Sequence, residues 1–308
     1  MKKIPLVIVT GPTASGKTAL SIELANSIGG EIVCADSMQI YKYMDIGTAK
    51  PTKEERAQCV HHLTDFVEPD CDFSVADYTQ LAHGVIADII KRGKIPVMCG
   101  GTGLYISSVA DDVEFGDMQN DYKVRSELND LYKKSGAEAV FKILEEIDPE
   151  AAKTLHPNNI KRVIRAIEFY RLSGLRISEH QKNTKLKESR YEPFMFMISR
   201  ERDTLYERIN RRVDIMIDDG LLDEVKSLKE RGYTRELNSM QGIGYKELFA
   251  YLDGETDFPS AVEAIKQNSR RYAKRQLTWW RRDDRMNFLE PDTALENAIE
   301  TIKRVSIL

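Results

Sequence analysis

The apolar run Leu6-Val7-Ile8-Val9-Thr10 passes directly into Gly11-Pro12-Thr13-Ala14-Ser15-Gly16-Lys17-Thr18, which has the G-x-x-x-x-G-K-[ST] spacing of a phosphate-binding loop. A strand pattern before the loop and a helical pattern over residues 17–28 after it supply the context that this spacing needs. Gly11 and Gly16 let the backbone curl so that successive N–H groups face an anion. The following helix aims the positive end of its dipole at the same place. Lys17 adds a mobile cation, and the Thr18 hydroxyl is suited to a Mg²⁺ ion. Such a segment predicts a bound phosphorylated ligand at the carboxyl edge of a parallel sheet.

The surrounding pattern agrees with that sheet. Strands are expected at 5–10, 31–35 and 95–99, and helices at 17–28 and 75–92, with Ser74 and Asp77 as start signals for the second helix. Alternation of short apolar strands with helices implies parallel strands covered by helices. From 113 to 190 helical periodicity dominates, and the polar stretch 182–190 reads as a linker. A strand returns at 194–198, a long amphipathic helix follows over 203–231, and the remainder to 308 reads as helical. The expected fold class is α/β, a P-loop NTPase-like (nucleotide-kinase-like) parallel sheet core with an all-helical insertion. The core comprises 1–112 and 191–308, and the insertion 113–190.

Composition narrows the class of protein. With 42% hydrophobic and 31% charged residues, the chain has the balance of a soluble globular protein. Its N-terminal residues lack the pattern of a secretory signal, and no apolar stretch reaches membrane-spanning length, so a cytoplasmic protein with no membrane partner is expected. No interface signature stands out, and a monomer is expected. Cys34, Cys59, Cys71 and Cys99 lack CxxC spacing, and Cys59, His61, His62 and Cys71 fit no familiar zinc pattern. The net charge is −4, yet residues 266–282 carry Lys266, Arg270, Arg271, Lys274, Arg275, Arg281 and Arg282 with no acidic residue among them. That basic stretch, interleaved with Tyr272, Trp279 and Trp280, suits a nucleic-acid partner.

Other groups gather at the expected strand ends. Asp36 follows the second strand, where a carboxylate can ligate Mg²⁺, take a proton, or cap the next turn. Ser37 and Gln39 carry groups suited to reading a base edge, and Tyr41 is placed to stack. Gly100-Gly101-Thr102-Gly103 follows the third strand and reads as a close backbone approach to a ligand or as a glycine-rich turn. Arg208 and Arg212, four residues apart, share a helix face and could clamp phosphate charge.

Taken in order, these segments resemble the tRNA dimethylallyltransferase family. The matching segments are 11–18, Ala-Asp-Ser-Met-Gln-Ile-Tyr (35–41), Asp-Ile-Gly-Thr-Ala-Lys-Pro (45–51), His-His-Leu (61–63) and Phe-Ser-Val-Ala-Asp-Tyr (73–78). Further matches are Gly-Gly-Thr-Gly-Leu-Tyr (100–105), Gln-Gly-Ile-Gly-Tyr-Lys-Glu (241–247) and Arg-Tyr-Ala-Lys-Arg-Gln-Leu-Thr-Trp (271–279). Asn159, where an aspartate is usual, and Gly242, where alanine is common, depart from the pattern.

The resemblance implies prenylation of the adenosine 3′ of the anticodon, with dimethylallyl pyrophosphate as donor and Mg²⁺ as cofactor. Catalytic roles would fall to Asp36 as base and to Lys17, Thr18 (the metal ligand) and Arg212 around the leaving group. Pyrophosphate would contact Gly11, Pro12, Thr13, Ala14, Ser15, Gly16, Lys17, Thr18 and Gly101. The tRNA anticodon stem-loop would meet Asp36, Ser37, Met38, Gln39, Thr102, Lys161, Arg162, Arg165, Gln241, Lys246, Arg271 and Arg275. Three rivals remain at this stage: a small-molecule kinase using ATP, an adenylate prenyltransferase, and a non-catalytic RNA-binding switch.

Overall fold

Strand β1 (Ile4–Thr10) is apolar along its length and buried from Leu6 onward, which suits a strand covered on both faces. The structure, a computed structural model, describes residues 3–115, 122–186 and 188–304. After β1 come α1 (Lys17–Ile28), β2 (Gly30–Cys34), α2 (Lys53–Gln58), β3 (His61–His62), α3 (Val75–Lys91), β4 (Ile95–Gly100) and α4 (Gly103–Ala110). Then follow α5 (Tyr122–Ile147, broken at Gly136), α6 (Pro149–Thr154), α7 (Ile160–Ser173) and α8 (Ile177–Leu186). The chain ends with β5 (Tyr191–Ile198), α9 (Arg202–Asp218), α10 (Leu221–Glu230), α11 (Tyr245–Leu252), α12 (Phe258–Trp280), β6 (Met286–Leu289) and α13 (Ala294–Arg304).

The six strands form one sheet in the order β3-β2-β4-β1-β5-β6, every pair parallel. Two apolar cores cover it. Leu6, Ile8 and Met98 pack with α3 and α4 on one face, and Val7, Val9 and Val97 pack with α1 and α13 on the other. Because β1 lies between β4 and β5, its carboxyl end opens at the middle of the sheet edge, where ligands of such folds bind. Helix α3 starts as expected: Ser74 and Asp77 form a reciprocal capping box.

The chain divides into two compact units, one of residues up to 110 and from 190, the other of residues 111–189. The second unit has its own core of Leu128, Val140, Leu144, Val163 and Ile167, drawn from α5 and α7. Among the described residues, no helix is long and apolar enough to cross a membrane.

Three expectations are corrected. The helix over 203–231 is two helices, because Gly220 adopts a left-handed conformation (φ 98°) and ends the first. Periodicity runs across the break because Val213, Leu221 and Val225 enter the same core. The linker at 182–190 is helical as far as Leu186, while Lys187 lies outside the described residues. Strands β3 and β6 interrupt segments that carry no strand pattern. The former has two residues, and the latter exposes Asn287 and Phe288 at a sheet edge.

Candidate active site

The 11–18 loop is held from outside by side chains that claim its carbonyls. Arg200 Nε donates to Ser15 O at 2.7 Å and Arg208 Nε to Ala14 O at 2.9 Å. Lys17 Nζ donates to Pro12 O at 3.5 Å. Gly11 and Gly16 have φ of 138° and 104°, and Ala14, at 62°, holds a left-handed conformation that few non-glycine residues adopt. With these carbonyls bound by side chains and α1 beginning at Lys17, the amides of the first helical turn are suited to an anion. The Ser15 hydroxyl is buried with no partner among the described residues.

Lys17 and Arg212 bring two cations together in a poorly solvated place. Burial lowers the pKa of Lys17, Arg212 lowers it further, and Asp36 opposes both effects. Burial likewise lowers Arg212, again against the pull of Asp36. Neither cation forms an ion pair among the described residues. A dianionic ligand would complete the charge balance.

Asp36 Oδ1 accepts from Met38 N at 2.9 Å, so the turn-capping role is real. The carboxylate also lines a cavity of about 320 Å³ together with Lys17, Thr18 and Arg212. A second cavity, of about 700 Å³, lies on the other side of the same groups. Lys17, Thr18, Ala49, Arg212 and Met216 line both and mark their junction. One cavity can therefore serve a donor and the other an acceptor, meeting at the loop lysine.

The other expected residues divide. Thr13, Ser37, Met38, Gln241, Lys246 and Arg275 line the smaller cavity. Thr102 fixes the turn after Asp36: its Oγ1 accepts from Ser37 N at 2.9 Å and bonds Ser37 Oγ at 3.2 Å. Arg271 is exposed on α12. In the 111–189 unit Lys161 and Arg162 are exposed on α7, whereas Arg165 is tied to the buried Glu168 at 3.1 Å.

The contacts around four sets of expected residues are more specific than the sequence shows. Gly101 closely approaches protein: a Cβ there would lie 2.4 Å from Gln276 Nε2, and its carbonyl accepts from that group at 2.8 Å. Gly100 and Gly103 are likewise required by Ala35 O and the Trp279 ring. Gln39 lines the smaller cavity as well, but its amide NH₂ is engaged by the protein, donating to Thr48 O (3.1 Å) and Ala49 O (3.0 Å). Tyr41 is 4% exposed in a core and cannot stack on a base. Trp280 is fully buried, while Trp279 is exposed and Tyr272 lines the cavity.

Two groups escaped the sequence reading. Gln276 joins the loop to the 100–103 turn, accepting from Thr13 N at 3.3 Å while donating to Gly101 O. It lies inside the 271–279 segment, where a single uncharged amide among basic residues carries no pattern of its own. Arg200 stands two residues beyond β5, and the rule that strand carboxyl ends carry ligand sites could have marked it.

A family model described as IPP transferase matches residues 39–283, and one described as isopentenyl transferase matches 4–63. A tRNA dimethylallyltransferase of Lachnoclostridium phytofermentans is 48% identical over 304 residues, 99% of this chain and 97% of that protein. The crystal structure of a tRNA isopentenylpyrophosphate transferase from Bacillus halodurans superposes with a TM-score of 0.72 at 43% identity, covering 99% of this chain and 96% of that one. A eukaryotic dimethylallyltransferase captured acting on tRNA gives 0.81 at 28% identity, covering 98% of this chain and 79% of that one. With the phosphate loop, Asp36 and the two cavities in one place, these likenesses run nearly end to end, and the chain belongs to the tRNA dimethylallyltransferase (IPP transferase) family.

Proposed function

We propose that the protein transfers the dimethylallyl group of dimethylallyl pyrophosphate to the exocyclic amine of the tRNA adenosine 3′ of the anticodon, releasing pyrophosphate. The observation that carries this reading is the junction of two cavities at Lys17, Thr18 and Arg212, with Asp36 on one side. Pyrophosphate in the 11–18 loop would meet the amides of α1, Lys17 and Arg212. As the allylic C–O bond breaks, positive charge spreads over the allyl carbon and negative charge grows on the departing oxygen. Cations already placed at that oxygen stabilise the transition state more than the ground state.

The N–C bond forms as the C–O bond breaks, and the proton leaves the amine nitrogen for Asp36. The base must leave the anticodon-loop stack to reach Asp36, as in other enzymes that modify bases. Ser37, Met38 and Arg275 line the cavity that would receive it, and Gln39 acts indirectly by holding the Thr48 and Ala49 carbonyls. Exposed Lys161 and Arg162 suit the tRNA backbone.

The donor set fits a divalent metal of the Mg²⁺ type, since it is all oxygen and sparse. Thr18 and Asp36 line the same cavity, and no cluster of three or more ligating side chains exists among the described residues. Such a site leaves the remaining positions to phosphate oxygens and water. Thr18 would hold the ion, and the ion would neutralise charge on the leaving pyrophosphate.

The test is incubation with undermodified tRNA and either dimethylallyl pyrophosphate or ATP, followed by mass spectrometry of digested nucleosides. Prenylated adenosine with the pyrophosphate donor is the expected product. Its absence, or phosphorylation with ATP, would overturn the reading.

A further inference from the structure

The segment 45–49 forms part of the wall at the junction of the two cavities, and it is unusually well tied down. Glu224, on α10, accepts from three of its backbone amides: Asp45 N and Ile46 N at 2.8 Å on one oxygen, Gly47 N at 3.1 Å on the other. The second oxygen also accepts from Tyr245 OH at 2.6 Å. Gly47 has to be glycine, because a Cβ there would lie 2.6 Å from the Tyr245 ring. Carbonyls at the far end of the segment are held by Gln39, and Lys50 Nζ is locked between Asp45 (2.6 Å) and Asp65 (2.7 Å).

Within this frame Ala49 sits at φ 51°, a conformation an alanine adopts only when its surroundings impose it. Ala49 and Met216 are the apolar members of the group lining both cavities, beside the polar Lys17, Thr18 and Arg212. Strain held by so many bonds, at the one place where a polar head and a carbon tail must be oriented together, calls for a positional purpose.

We propose that Glu224 is a positioning residue for the prenyl donor, holding the 45–49 segment so that Ala49 closes the apolar wall around a five-carbon tail. The inference rests on the prenyl-transfer reading above. Glu224 touches neither substrate. It acts through the amides it binds, fixing where the tail ends and therefore which chain length fits. In Glu224→Gln, one oxygen becomes an NH₂ group facing donors, so at least one tie is lost whichever way the amide turns. Ala49→Gly keeps the backbone conformation without strain but removes the Cβ from the wall.

The experiment measures steady-state prenylation of tRNA with dimethylallyl pyrophosphate and with the ten-carbon geranyl pyrophosphate, for wild type and both variants. The expected result for Glu224→Gln is a donor KM raised about tenfold, a tRNA KM within about twofold, and a weakened preference for the shorter donor. Ala49→Gly should weaken that preference too, with its unfolding midpoint unchanged or raised. The proposal is overturned if Glu224→Gln shifts both KM values equally alongside a lowered midpoint, or if Ala49→Gly keeps the wild-type preference. Should Glu224→Gln fail to fold, Ala49→Gly decides alone. A wild-type protein inactive with either donor removes the parent reading, and this one with it.

Discussion

Charge is handled in opposite ways at the two ends of strand β2. At its start Glu31, 2% exposed, accepts from Arg92 (2.5 and 2.7 Å), Lys94 (2.8 Å) and His62 (2.7 Å). The Arg92 bonds, with help from Lys94 and His62, hold the Glu31 carboxyl well below the usual carboxylate range. Just past its other end, Asp36 faces Lys17 and Arg212, whose pKa values burial pulls down and which form no ion pair among the described residues. A folded chain normally satisfies the charges it buries, as it does at Glu31. Two half-buried cations beside a phosphate loop suit an anionic ligand. The same strand supplies a structural clamp and a reaction centre, told apart by whether the charge is balanced.

That distinction can be broken by experiment, and the largest effect is expected at Asp36. Asp36→Asn should retain tRNA affinity and lose about 10³-fold in single-turnover rate, read from prenylated nucleoside. A rate near wild type would remove Asp36 as the base. Lys17→Met should lower turnover by about 10²–10³-fold and weaken donor binding, while its thermal midpoint holds or rises because an uncompensated cation has left the interior. A clear loss of stability would mean that Lys17 is balanced after all, and the contrast with Glu31 would fail.

Glu31→Gln should do the reverse: activity within about twofold, and stability lower by about 1–2 kcal/mol in denaturant melts, a figure discounted because Arg92 and Lys94 remain partly exposed. Its pH dependence has a definite sign. The folded-state pKa is depressed, so the stabilisation is present above the unfolded value of about 4.3 and is lost as pH falls toward the folded value. Wild type and Glu31→Gln should therefore converge in acid. The smallest effect belongs to Arg92→Ala, a barely measurable shift in denaturant melts, since Lys94 and His62 still hold Glu31. A variant at Glu31 that kept its fold but lost turnover would erase the division between the two ends.

Much of this was legible in the chain. The 6–18 segment predicts its strand, loop and helix because each is encoded by neighbours: an apolar run, two glycines and a 3.6-residue period. The capping pair at Ser74 and Asp77 is equally local. Asp36 could be placed because strand ends in such sheets converge on one edge. The glycines at 100, 101 and 103 announce a constrained turn but not the identity of the crowding atoms. They are Ala35, Gln276 and Trp279, two of them more than 170 residues away along the chain. Tyr41 looked available for stacking because nothing local shows that Met44, Val67 and Tyr245 enclose it.

What the sequence determined by itself is therefore the phosphate loop, the parallel sheet around it, the family and the carboxylate at Asp36. These rest on periodicity, spacing and order along the chain. The tertiary structure alone decided that Arg200, Arg208 and Gln276 hold the loop, that the Gln39 amide is engaged by the protein, and that Glu224 grips the 45–49 segment. All but the Gln39 bonds, which span nine and ten residues, join residues far apart in the chain. Which distant side chain fills a given space depends on how helices and strands pack, and no local pattern records it.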